Sequence, residues 1–198
     1  MVEIEQEGKP REGLLIGEAT LAAVWNVQGD PEHPPAIADV ERRFGVALPR
    51  DPNCSVHGGG LLALWSGPCS WLLIEGGAAG KPEVLVDLET RREGLNAGGG
   101  AVFDVSAGRV AYTLRGPGAA KVLAAGCPLD LDRRVFPPGH CGQSVFGRVS
   151  AVYYRHAHTD AFTLMVARSL ATDVWRDLGL AAAGEGPVIA PLQPFDAS

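Results

Sequence analysis

The stretch TLRGPGAAKVLAAG, residues 113–126, decides how the chain is read. It runs from a strand through a glycine turn into a helix. Gly116 and Gly118 fit the Gly-x-Gly start of a dinucleotide fingerprint, but Lys121 stands where the third glycine or an alanine belongs. Such a site needs free N–H groups at the helix start and a parallel strand after the helix. Pro117 removes one N–H. The following CPLDLDRRVFPPGHCG (127–142) contains two consecutive prolines and no clear buried strand. The preceding RVAYTLR (109–115) alternates, with Val110, Tyr112 and Leu114 against Arg109, Ala111, Thr113 and Arg115. Alternation marks a half-exposed antiparallel sheet rather than a buried parallel one. The glycines therefore read as a hinge: Gly116 ends a strand, Pro117 starts a helix and Gly118 keeps the entry slim.

Upstream, LAAVWNV (21–27) has the composition of a strand. Ile37, Val40 and Phe44 recur at helical spacing, and Gly45 is a stop signal. LLALW (61–65) and SWLLI (70–74) flank a hairpin-like SGPC. A helix is predicted after Pro82, carrying Val84, Leu88 and Leu95, and a strand at AVFDV (101–105). Downstream of the quoted helix, QSVFGRVSAVYY (143–154) and AFTLMV (161–166) read as strands around the polar turn RHAHTD. Ser169 is placed to cap a helix whose Leu170, Val174 and Leu178 share a face, and PVIAP reads as a short last strand.

Both halves thus read β-α-β-β-α-β, over roughly 20–105 and roughly 109–190. The predicted fold class is α+β, with tandem ferredoxin-like (split β-α-β) units and helices on one face of each antiparallel sheet. Residues 1–19 are expected as a polar arm, 20–190 as one compact domain of two pseudo-repeats and 191–198 as a tail.

Composition narrows the function. The chain has 198 residues, 46% hydrophobic and 20% charged, with a net charge of -6. A chain of this size buries roughly 70% of its unfolded surface and needs no staple. The acidic balance, without a basic cluster, argues against nucleic acid or an anionic membrane as partner. MVEIEQEGKP is no signal peptide, and no apolar run spans a bilayer, so a cytoplasmic location is expected. The scattered Cys54, Cys69, Cys127 and Cys141 fit reduced thiols in that compartment.

Few residues invite chemistry. Cys54-x-x-His57, the adjacent His140-Cys141 and the alternating His156 and His158 supply soft metal ligands, but only one short pair has zinc-like spacing. Cys127 lies at a helix end, where the dipole opposes a thiolate. No serine sits in a Gly-x-Ser-x-Gly elbow. Asp130 and Asp132 read as solvated loop charges, and Trp65, Trp71 and Trp175 as core or interface aromatics.

Several stretches together resemble the gamma subunit family of heterotetrameric sarcosine oxidase. The main one is FDVSAGRVAYTLRGPGAAKVLAAGCPLDLDRRVFPPGHCGQSVFGRV (103–149). FTLMVARSLATDVW, FGVALPRDPN and LALWSGPCSWLL add to it, so that the resemblance covers roughly residues 20–180. Cys69 and Ser70 depart from it, where an acidic residue is expected before Trp71. The resemblance implies a fold related to the folate-binding domain of the glycine-cleavage aminomethyltransferase. It also implies a non-catalytic partner, chiefly of the alpha subunit, in a complex with beta and delta subunits. That complex oxidises sarcosine to glycine, forms hydrogen peroxide, and yields formaldehyde or methylene-tetrahydrofolate. FAD, NAD, FMN and zinc are then expected in the other subunits, tetrahydrofolate as co-substrate, and no catalytic, cofactor or metal residue in this chain. The alternative is a stand-alone folate-binding or aminomethyltransferase-like protein. For the subunit, the interface residue expected is Phe136, in the proline-rich loop RRVFPPGH (133–140).

The cysteine pattern generates a direct check. Thiol titration of the natively prepared, then denatured, chain should find four free thiols, and a count short by two would reveal a disulfide.

Overall fold

The computed structural model describes residues 13–32, 34–77 and 99–196. The predicted helix after Pro82 lies outside them.

The fold is organised by its first strand, β1 (Leu15–Gln28). Its N-terminal half pairs antiparallel with β6 (Arg109–Arg115), from Leu15↔Arg115 to Ala19↔Ala111. Its C-terminal half pairs with β4 (Ser70–Gly76) and, on its other edge, with β5 (Ala101–Asp104). A register shift between Leu21 and Ala23 separates the halves. Beyond β4 lie β3 (Leu61–Gly67) and β2 (Ser55–Gly58), and beyond β6 lie β9 (Ala161–Ala167), β8 (Val149–Arg155) and β7 (Cys141–Phe146). The order is β2-β3-β4-β1-β6-β9-β8-β7. Its two ends meet at an isolated Cys54↔His140 bridge, reinforced by Cys141 N–H donating to Asn53 O at 2.8 Å. The sheet therefore curls almost shut.

Alternation along each strand sorts the side chains into three cores. Trp25, Val27, Leu61, Ala63, Trp71 and Leu73 face α1 (Pro34–Phe44), which contributes Ile37, Val40 and Phe44. Val110, Tyr112, Leu114, Phe162, Leu164 and Val166 face α2 (Ala119–Ala124) and α3 (Ala171–Ala182). The intervening residues Val24, Leu62, Leu64, Ile74, Ala111, Val152, Tyr154 and Met165 fill the space inside the curl. The strands bury both faces, each full burial of a large apolar side chain being worth roughly 1.5–3 kcal/mol.

The first half has the neighbour order β5-β1-β4-β3, the ferredoxin-like arrangement that the element order predicted, with β2 added at the edge. In the second half β6, β9 and β8 follow the same plan. Its last strand, β10 (Val188–Ile189), pairs parallel with β1 rather than beside β6, because β1 is interposed. The helix stop at Gly45 holds: its N–H donates to Glu41 O at 2.8 Å.

Four expectations need correction. Residues 13–19 are not part of a polar arm: Leu14 and Ile16 are buried in the core against α2 and α3, and Leu15 opens β1. The segment at 191–198 is not simply a tail, since β11 (Gln193–Pro194) pairs with β1 and Phe195 is buried in the inner core. Residues 143–154 form a hairpin, β7 and β8, turning at Gly147 and Arg148 instead of one strand. Ser169 does not cap α3; it lies in a 3-10 turn, Arg168–Leu170, and the cap residue Leu170 makes no side-chain cap bond. A serine one residue before the cap position cannot reach the exposed N–H groups once a tighter turn precedes the helix.

Phe195 anchors the C-terminal segment: its ring is buried in the inner core beside His156, and its N–H donates to Thr20 O at 2.9 Å. Replacing it with alanine should cost about 3–5 kcal/mol in urea unfolding. Limited proteolysis should then cut first after β10.

Candidate functional site

The glycine turn is a hinge, as the spacing predicted. Gly118 adopts φ +91, and a Cβ there would lie 3.0 Å from Glu185 Oε2. The carboxylate of Glu185, paired with Lys121, thus covers the start of α2, where a phosphate would have to sit. Both neighbours of β6, namely β1 and β9, are antiparallel to it, so no parallel β-α-β unit follows.

The loop after α2 is strapped down from beneath. Arg155, only 7% exposed, donates from Nη1 to Leu131 O at 3.3 Å and Phe136 O at 3.1 Å. Its guanidinium also stacks over Phe162, 4.8 Å from the ring centroid. Phe136 is 6% exposed and packs toward Gly142, where a Cβ would stand 3.3 Å from its ring. The expected exposure of Phe136 at an interface is therefore corrected: the loop turns this ring inward and leaves its neighbour Val135 at 60% exposure. Asp132 and Asp130 are turn residues, Asp132 accepting the Arg134 N–H and Asp130 the Asp132 N–H, each at 2.9 Å. The Arg134 hydrogen bonds hold the Asp132 carboxyl below its ordinary range.

Three of the predicted soft ligands lie near one another: the His57 and His158 ring centroids are 6.4 Å apart, and the His156 ring lies 4.9 Å from that of Tyr154, which also neighbours His57. His57 Nε2 lies 2.9 Å from Tyr154 Oη, and His156 Nε2 lies 2.8 Å from Thr163 Oγ1. His140 packs its ring edge-on to Phe136, and the Cys141 thiol is buried, which pushes it up to about 12. Cys127 is buried and Cys69 exposed. Among the described residues, no group of three or more His, Cys, Asp or Glu side chains is placed to hold a metal ion. No described helix is long and apolar enough to cross a membrane.

A cleft of roughly 490 Å3 opens between β1, β6, α3 and the C-terminal strands. Glu18, Tyr112, Arg168, Trp175, Ile189 and Leu192 are among its lining residues. Tyr112 and Trp175 lie with ring centroids 5.3 Å apart and form an aromatic wall. Ile189 is 59% and Leu192 64% exposed and form its apolar rim. The strand pairing explains the exposure: β10 is two residues long, pairs with β1 on one side, and presents its side chains outward. Of these residues, sequence reasoning singled out only Trp175. Val188, Ile189 and Leu192 carried a signal, apolar residues without a periodic partner, but it could not show which face they occupy.

A curled antiparallel sheet covered by helices is the fold shared with the folate-binding domain of the glycine-cleavage aminomethyltransferase. The aminomethyltransferase T of the glycine cleavage system from Bartonella henselae superposes with a TM-score of 0.63 at 16% identity, covering 92% of this chain and 48% of that one. The chain belongs to the sarcosine oxidase gamma subunit family, whose family model matches residues 28–184. It is 29% identical over 151 residues to the sarcosine oxidase subunit gamma of Arthrobacter sp., covering 75% of this chain and 69% of that protein. A second gamma subunit, from Corynebacterium sp. strain U-96, is 42% identical over 77 residues, 39% of this chain and 35% of that one. A chain of the heterotetrameric sarcosine oxidase from Corynebacterium sp. U-96 superposes with a TM-score of 0.75 at 24% identity, covering 91% of this chain and 89% of that one.

The buried histidine gives a pH dependence. Burial, with lesser contributions from Arg115 and His57 and against that of Asp196, holds His156 at about 4 instead of 6.5. The folded state thus prefers the neutral ring. The stability this confers is full above about 6.5 and is lost as the pH falls through about 4. The melting temperature should drop over this window, and His156→Gln should flatten the drop, as read by calorimetry at stepped pH.

Proposed function

We propose that this chain is a non-catalytic gamma subunit of a cytoplasmic heterotetrameric sarcosine oxidase. It supplies docking surface, chiefly to the alpha subunit, beside beta and delta subunits. The complex converts sarcosine, oxygen and water to glycine, hydrogen peroxide and formaldehyde, or passes the one-carbon unit to tetrahydrofolate. FAD, NAD, FMN and zinc reside in the partner subunits. The observation that carries this reading is the open cleft with its apolar rim at Ile189 and Leu192. Exposed apolar side chains gathered on one face, bordered by polar residues, mark a surface that another protein covers. Family membership supports the same role.

A second reading, a stand-alone folate-binding protein, draws on the aminomethyltransferase-like fold alone. Folate titration of the isolated chain separates the two, because only the second expects saturable binding.

The docking role has a direct test. The purified chain should consume no oxygen with sarcosine, even with FAD and FMN added, and should form a stable complex with its alpha subunit on size-exclusion chromatography. Ile189→Asp, placed at an exposed site, should weaken that complex while leaving the melting temperature of the free chain unchanged. Sarcosine-dependent peroxide production by this chain alone would overturn the proposal.

A further inference from the structure

The cleft is lined by one carboxylate, Glu18, and one guanidinium, Arg168, and the two do not pair with each other. Glu18 is exposed at the mouth, and among the described residues it makes no hydrogen bond and no ion pair. Its nearest candidate donors are engaged elsewhere. Tyr112 donates its hydroxyl to Ala171 O at 2.8 Å. Arg168 shares the cleft, but its guanidinium donates to Ala107 O at 2.7 Å and to Arg109 O at 2.9 Å. Glu18 and Tyr112 are direct cross-strand partners on β1 and β6, which sets that carboxylate beside the aromatic wall, and the Tyr112 phenol is pushed up by burial and then by the Glu18 charge.

The wall itself is half open. Trp175 is only partly buried, and among the described residues its indole N–H has no acceptor. One side of the cleft thus offers a carboxylate, another an aromatic face, and the rim two exposed aliphatic side chains, Ile189 and Leu192. A planar cation on an aliphatic stem complements all three at once. A guanidinium pairs with a carboxylate through two parallel N–H bonds and stacks flat on an indole, while its methylene stem lies along apolar side chains. An ammonium satisfies the charge but neither stacks nor forks.

We infer that this cleft receives an arginine side chain of the partner subunit, with Glu18 pairing its guanidinium, Trp175 stacking on it, and Ile189 and Leu192 flanking its stem. The inference rests on the docking role proposed above and names the chemistry of the partner residue.

Two experiments test it, one without any partner. In the first, n-butylguanidinium is titrated into the free chain while the Trp175 indole N–H is followed by NMR, the signal being assigned by its loss in Trp175→Phe. A saturable shift is expected, weaker with n-butylammonium and lost in Glu18→Gln. No saturable shift, or an equal shift in Glu18→Gln, overturns the inference. In the second, affinity for the alpha subunit is measured at low and high salt. Glu18→Gln should weaken it roughly ten- to a hundredfold, more at low salt, with unchanged melting temperature. If Ile189→Asp disrupts assembly and Glu18→Gln does not, docking at the cleft stands and the arginine falls. If neither matters, the docking role of this surface falls, and the guanidinium titration alone decides whether the cleft is a cation site.

Discussion

The architecture depends on one strand serving two sheets. At its start β1 points Ile16, like Leu14 just before it, toward α2 and α3, and then Ala19 into the curl. In its second half Trp25 and Val27 face α1, and Val24 faces the curl. Even-numbered residues thus face outward before the shift and inward after it. The change of parity is made between Leu21 and Ala23, where the pairing with β4 slips by one residue. A period-2 strand cannot exchange its faces without such an irregularity. The Val24 N–H beside the shift finds a partner in Ser106 Oγ at 2.8 Å, and Asp104 Oδ1 holds that hydroxyl in place at 2.5 Å. The Asp-Val-Ser sequence at 104–106 thereby has a structural role: it supplies the acceptor that an irregular ladder leaves missing.

Other residues have similar physical roles. At Gly126 a Cβ would come within 2.7 Å of the Phe146 ring, so the close of α2 tolerates no side chain. Arg155 is a buried cation whose bonds to two loop carbonyls fix the proline-rich segment above it. These residues shape the curl and its strap, while the cleft is lined from β1, α3 and the last few residues. Framework and recognition surface are drawn from different parts of the chain.

That division decides what could be read in advance. Strong alternation at 109–115 and helical spacing at Ile37, Val40 and Phe44 announced their elements, because burial on one face imposes a period. The tandem order followed from them. The hairpin at 143–154 was hidden because Phe146-Gly-Arg-Val149 carries a single glycine between apolar residues and lacks a second turn-former. The start of β1 was hidden because Leu14, Ile16 and Ala19 interleave with glycine, glutamate and an exposed leucine, which looked like an arm until β6 and β10 were in place around it. Phe136 was misjudged for a related reason. A proline-rich loop reaches the surface with its backbone, but an arginine beneath it, distant in sequence, drew the ring inward. The cleft itself was not legible at all, since Glu18, Tyr112, Trp175 and Ile189 meet only after both ends of the chain are paired.

The pairing of those ends also sets an order of assembly. Leu15 pairs with Val188, and Ala19 with Gln193, so β1 finds its outer neighbour only far downstream in the sequence. Contacts of such long sequence separation slow folding, because the loop they close must be ordered before they reward it. Until then one edge of β1 stays open, a strand edge able to pair with another chain. Native pairing is thus deferred until that distant segment is in place, and the nascent polypeptide carries an adhesive edge throughout the interval.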